Sequence, residues 1–206
     1  MVGAVAARTV ARQNLPCLTA VLMLAMTAVH LLPGVAPVLI YDRTAILAGD
    51  WWRLLTAGLV HHSSSHLCWN LAVLGCFGAL LERDGRALLA WLLVLNTIGQ
   101  WLLLLDPGIA RFAGASGFAT AVVSVLCLKK LAATGGCRFL WIFLLLVLCG
   151  KTGYELLVPQ ALFAEGDFLL LPQAHLLGMV SSILVFVLDP GTGNGSSRKE
   201  SYLVSG

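Results

Sequence analysis

Apolar runs of about 20 residues, broken by short charged segments, recur from Pro16 to Leu188. About 20 helical residues cross a hydrocarbon core of roughly 30 Å. Composition agrees: 59% of the chain is hydrophobic and 11% charged, where roughly 25% charged is usual in soluble domains. The fold class is therefore all-α and membrane-integral, with the lipid bilayer as its surroundings. The net charge of +3 suggests no nucleic-acid partner, because the basic residues are scattered between apolar blocks and form no single patch. The six cysteines show no C-x-x-C pairing, so neither a zinc site nor a disulfide framework is indicated. They are read as small core residues, and no metal or other cofactor is expected.

Six spans are expected, over 16–40, 65–82, 87–105, 114–134, 138–157 and 170–188. Arg8 and Arg12 ahead of an apolar run also fit a signal peptide, but 16–40 is long for one and reads as a retained first helix. Segment 41–64 is semi-apolar, carries Asp42, Arg43, Asp50, Arg53 and the adjacent Trp51 and Trp52, and suits the headgroup region. The domain reading is a cytoplasmic N-terminus (1–15), one membrane domain (16–188) and a Gly/Ser-rich, disordered cytoplasmic tail (189–206). With both ends inside, the inner segments hold Arg8, Arg12, Arg83, Arg86, Lys129, Lys130, Arg138, Arg198 and Lys199. The outer ones hold only Arg43, Arg53 and Arg111. That bias is expected for a multi-pass protein, because cationic loops resist translocation. It places both ends of the chain on the cytoplasmic side.

Polar side chains inside a span cost several kcal/mol unless they face other helices or water, so each is a functional candidate. These are His30, His66, Asn70, Asn96, Gln100, Ser116, Lys151, Glu155 and His175. The fourth span opens with Gly114-Ala115-Ser116-Gly117. A serine flanked by glycines at a helix start admits a close backbone and leaves free N–H groups facing outward. The plain structural alternative is a small-residue helix-packing motif. Spans four and six run in the same direction, and Ser116 and His175 each fall just past an outer loop, so their side chains reach similar depth. A neutral imidazole can take the proton of a serine hydroxyl, with no metal involved; otherwise His175 is a buried histidine bonded to a carbonyl. Gly178, one turn on, lets the sixth helix pack closely. His66 and Asn70, spaced i,i+4, share one face of the second span. With the Ser116 N–H they form a candidate set of oxyanion donors, the alternative being that they satisfy loop carbonyls.

Taken together these residues resemble the rhomboid intramembrane proteases: Trp52-Arg53 in the first outer loop, His61 then His66 then Asn70, Gly114-Ala115-Ser116-Gly117, and Ala174-His175-x-x-Gly178. The resemblance implies a six-helix bundle and a serine–histidine dyad at the base of an outward-opening, water-filled cavity. Ser116 is then the nucleophile, His175 the base, and His66 and Asn70 oxyanion donors, while His61, Trp52 and Arg53 organise the outer loop. Within the family the chain is most similar to the rhombosortases, through its compact layout, Asp50-Trp51-Trp52-Arg53-Leu54-Leu55-Thr56, and Lys151-x-x-Tyr154-Glu155. That branch is associated with removal of a C-terminal Gly-Gly sorting tail carrying one span and a basic end, so the partners implied are transmembrane substrates with such Gly-rich tails. Lys151 and Glu155, at i,i+4, either neutralise each other or help recognise substrate. In many rhomboids an aromatic four residues after the serine stacks on the catalytic histidine. Here that position is Thr120, and Tyr154 or Phe118 is the candidate replacement.

Three function classes fit this pattern. The first is peptide-bond hydrolysis at the outer membrane face, of Gly-Gly-tailed clients or, for a general rhomboid protease, of other single-span membrane proteins. The second is a non-catalytic rhomboid-like binder of transmembrane helices, disfavoured because serine and histidine are both present. The third is a transporter with a proton path through His30, His175 and the Lys151/Glu155 pair, disfavoured because the polar residues cluster at outer helix ends.

Overall fold

The computed structural model describes residues 15–133, 137–158 and 171–189. The fold is built on six long helices among these residues: α1 (Cys17–Leu31), α2 (Ser64–Asp84), α3 (Arg86–Leu105), α4 (Ser116–Ala132), α5 (Arg138–Leu157) and α6 (Pro172–Leu188). They overlap the six apolar runs. By length and composition α2, α3 and α5 suffice to cross a membrane, while α1 and α6 are shorter apolar helices. The expected cytoplasmic N-terminus (1–14) and the expected disordered tail from 190 onward lie outside the described residues.

The first run is not one span over 16–40. Helix α1 stops at Leu31, and Leu32 is extended, as steric conflict with the ring of a following proline demands. Gly34 then takes a positive φ of 79°, and a separate short helix, Ala36–Leu39, follows. Segment 41–64 folds as a cap of short pieces: β1 (Tyr41–Asp42), helical turns at Arg43–Leu47 and Arg53–Thr56, and a 3₁₀ turn at Ala57–Leu59. Strand β1 pairs antiparallel with β2 (Arg111–Phe112), a two-residue ribbon in an otherwise helical fold. A small second core of Tyr41, Ile46, Leu54, Leu103, Ile109 and Phe112 lies under this cap.

Helix α4 is the centre of the main bundle, buried without interruption from Gly117 to Cys127. A helix apolar on every side belongs inside. At 1.5 Å per residue it is roughly 25 Å long. It runs parallel to α6: a methyl group on Gly117 would lie 2.7 Å from the Ala174 carbonyl oxygen, and one on Gly178 would overlap the Gly117 carbonyl. Both glycines are therefore required by backbone contact. At the far end of this pair Lys129 Nζ meets Asp189 Oδ2 at 2.6 Å.

Helix α2 carries a π-helical stretch at Leu74–Gly78, where it lies against α1; a methyl on Gly78 would come within 3.3 Å of Thr19. Among the cysteines only Cys127 is buried; Cys17, Cys68, Cys76, Cys137 and Cys149 are exposed on the bundle surface. The expectation that they are core residues is thus corrected for five of the six. A thiol is a small apolar group, and on a membrane protein an apolar group has no reason to prefer the interior over lipid.

Candidate active site

Ser116 is the first residue of α4, preceded by Ala115 with no side-chain cap. The N–H groups of the first helical turn have no carbonyl one turn back to bond to, so this end presents unpaired donors around the serine. Gly114 fixes the approach. Its φ of 121° suits glycine, its N–H donates to the Ala57 carbonyl at 3.1 Å, and a methyl there would lie 2.6 Å from His66 Cε1. The glycine before the serine is what admits the His66 ring to this turn.

Helix α2 begins at a true cap: the Ser63 hydroxyl accepts from the His66 N–H at 3.1 Å. One turn further, Asn70 is buried and its Nδ2 donates to the His66 carbonyl at 2.9 Å. His66 Nε2 is buried with no partner, a donor or acceptor held out of water and unspent. The His61 ring meets the His66 ring edge-on at a centroid distance of 5.0 Å, and the His62 ring stacks on it at 5.9 Å. His61 Nδ1 lies 3.2 Å from the Leu59 carbonyl. Burial, and then the charge of neighbouring His66, pushes both loop imidazoles, His61 and His62, down to about 4, so both are neutral at pH 7.

His175 lies in the first turn of α6 and is 1% exposed. Its Nδ1 is 2.8 Å from Glu155 Oε2. Lys151 Nζ donates to Glu155 Oε1 at 2.7 Å and stands 3.4 Å from His175 Nδ1. The Gly117–Ala174 contact sets the residue after Ser116 against the residue before His175. Among the described residues no hydrogen bond joins the Ser116 hydroxyl to His175, and no aromatic ring stacks on His175. Phe118 is buried in the core, Tyr154 is a little under half exposed, and Thr120 is buried.

Trp52 and Arg53 lie in the cap. Trp52 Nε1 donates to the Val38 carbonyl at 3.0 Å. Arg53 is buried, pairs with Asp50 at 2.9 Å and donates to the Pro37 and Ile40 carbonyls. It thereby ties the chain after α1 to the cap. Beside the serine turn, a cavity of about 670 Å³ opens between α1, the cap, α3 and α4, with Met26, Leu59, Asn96, Gln100, Gly117 and Ala174 in its walls. His30, at the end of α1, places Nε2 3.2 Å from the Ser64 hydroxyl.

Residues 48–189 match the rhomboid domain, a stretch that includes the serine turn, the His66–Asn70 face and His175. This chain belongs to the rhomboid family. It is also 35% identical over 81 residues to the Rhomboid protease GluP of Bacillus subtilis (strain 168), a match covering 37% of this chain and 15% of that protein. The match therefore spans a small part of that relative's length. Among the described residues, this rhomboid holds no cluster of histidine, cysteine and carboxylate side chains arranged for a metal ion.

The sequence names Glu155 as a polar candidate beside Lys151 but not its bond to His175, which spans 20 positions, and it does not single out Glu82. Glu82, fully buried in α2, accepts from Leu18 N–H at 2.9 Å, from Thr19 N–H at 2.8 Å and from the Thr19 hydroxyl at 2.9 Å. A carboxylate inside an apolar run was the available signal for both.

Proposed function

We propose that this rhomboid is an intramembrane serine protease in which Ser116 is the nucleophile and His175 the general base. The observation that carries the reading is the glycine contact between α4 and α6, which holds the backbone beside Ser116 against the backbone beside His175. Ser116 Oγ attacks the scissile carbonyl carbon while its proton passes to His175 Nε2. The resulting oxyanion accepts from the Ser116 N–H, His66 and the Asn70 amide. His175 then gives the proton to the leaving amine as the C–N bond breaks, and water resolves the acyl-enzyme by the reverse roles. The approach of Ser116 Oγ to Nε2 takes place on substrate binding, as catalytic hydrogen bonds in free enzymes are often long.

The substrate is a transmembrane protein with a Gly-rich C-terminal tail, cut at the outer face of a bacterial inner membrane. Glycine unwinds easily from a helix and lets the backbone approach closely, and the resemblance to rhombosortases supports that client class. The bias of Lys and Arg supports cytoplasmic ends and an outward-facing site.

The test pairs a client ending in Gly-Gly, a single span and a basic tip with a client lacking the Gly-Gly motif. Wild type should cut the first and Ser116→Ala should cut neither, although it remains folded in detergent. Equal cutting of both clients by wild type would replace the sorting-tail reading with a general rhomboid protease. Cutting by Ser116→Ala, or no reaction of Ser116 with a fluorophosphonate probe, would remove the protease reading altogether.

A further inference from the structure

We propose that Glu155 is the third member of the catalytic set, a positioning residue that holds His175 in the tautomer able to accept the Ser116 proton; the inference rests on the protease reading above. The bond from His175 Nδ1 to Glu155 Oε2 is 2.8 Å long. A carboxylate can only accept, so the geometry assigns the ring proton to Nδ1 and leaves the lone pair on Nε2. The ammonium of Lys151, 3.4 Å from the same nitrogen, is also only a donor. It cannot bond a protonated Nδ1, and it bonds the other carboxylate oxygen at 2.7 Å instead. Glu155 is thus bridged, one oxygen to the lysine and one to the histidine.

A simple i,i+4 charge pair would account for Oε1 alone. It leaves unexplained why Oε2 is aimed at an imidazole from another helix, with both side chains buried at 2% and 1% exposure. At that depth no water competes for the bond, and the lysine supplies the countercharge that a buried carboxylate requires. The backbone of α6 is fixed by the contacts of Gly178 and Ala174 with α4, so the remaining freedom of His175 lies in its ring. No aromatic ring stacks on it among the described residues, and Thr120 occupies the position where the family resemblance implies one. The Glu155 carboxylate restrains that ring from the Nδ1 side.

The experiment measures three things on the full chain in detergent micelles: the rate of Ser116 phosphonylation by a fluorophosphonate probe, client cleavage, and the proton spectrum of the imidazoles. Glu155→Gln should slow labelling and lower kcat by at least a hundredfold, with KM changed less than about threefold and Tm close to wild type. Glu155→Asp, which keeps the charge but shortens the reach, should recover part of the rate. Wild type should show a downfield Nδ1–H resonance that is absent in His175→Ala and in Glu155→Gln. A Glu155→Gln variant labelling within threefold of wild type would overturn the assignment. So would a wild-type spectrum without that resonance, a measurement that needs no variant to fold. An unreactive wild type with the resonance intact would instead count against the protease reading.

Discussion

Two carboxylates are buried among the described residues, and they stand at opposite ends of the bundle. Glu82, in the last turns of α2, and Glu155, near the end of α5, are 0% and 2% exposed. Each has a cation four residues away, Arg86 at 3.4 Å and Lys151 at 2.7 Å. They differ in what occupies their other lone pairs. Glu82 accepts from the first amides of α1 and from the Thr19 hydroxyl, donors that a helix start leaves unpaired, so it acts as an N-cap supplied from another helix. Glu155 accepts from a single imidazole on α6. A similar group at similar burial therefore fastens the fold at one end and bonds the proposed general base at the other, and the partner decides which.

The sharpest way to break this contrast is to neutralise each carboxylate in turn. Glu155→Gln should lower catalysis by about 10²–10⁴, the scale of losing the group that orients a general base, with little change in thermal stability. Equal losses of stability in the two variants would erase the distinction. Glu82→Gln sets an amide donor against backbone donors and should lower stability by about 2–3 kcal/mol, read as a fall in Tm. Activity per folded molecule should stay unchanged.

Acid should act mainly at the serine end. His61 and His62 are held near 4, below their usual 6.5, by burial and then by His66. The folded state thus disfavours their protonation. Their contribution to stability is fully present above pH 6.5 and is lost as pH falls from 6.5 toward 4. For His61 the loss amounts to about 1.4 kcal/mol at pH 5.5. Thermal melts between pH 7.5 and 4.5 should show this slope in wild type and a flatter one in His61→Gln. The smallest effects should come from the paired cations. Arg86 is about half exposed, and Arg86→Gln should change stability by less than about 0.5 kcal/mol. Lys151→Met should cost a few-fold in labelling rate, and the gap between the two variants measures how much more the Glu155 end depends on its countercharge.

The helices were legible because a run of about 20 apolar residues has few options in a bilayer. The break at Leu32 is written in Pro33 and Gly34, two residues that do not lower the hydropathy of 16–40 enough to divide it. Ser116, His66, Asn70 and His175 stood out as polar groups at helix ends, and Gly117 and Gly178 as small residues where helices meet. The outward-facing cysteines show that the rule placing apolar residues inside fails where the solvent is itself apolar.

What the sequence determined by itself was therefore the membrane setting, the run of helices and the short list of polar candidates. Each follows from local periodicity and the cost of polar groups in lipid. Only the tertiary structure decided that Glu82 caps α1 across 63 positions and that Glu155 reaches His175 from another helix. A lone carboxylate in an apolar run has the same local pattern in both cases. Its partner is chosen by how the helices dock, and docking is a property of the whole packed bundle.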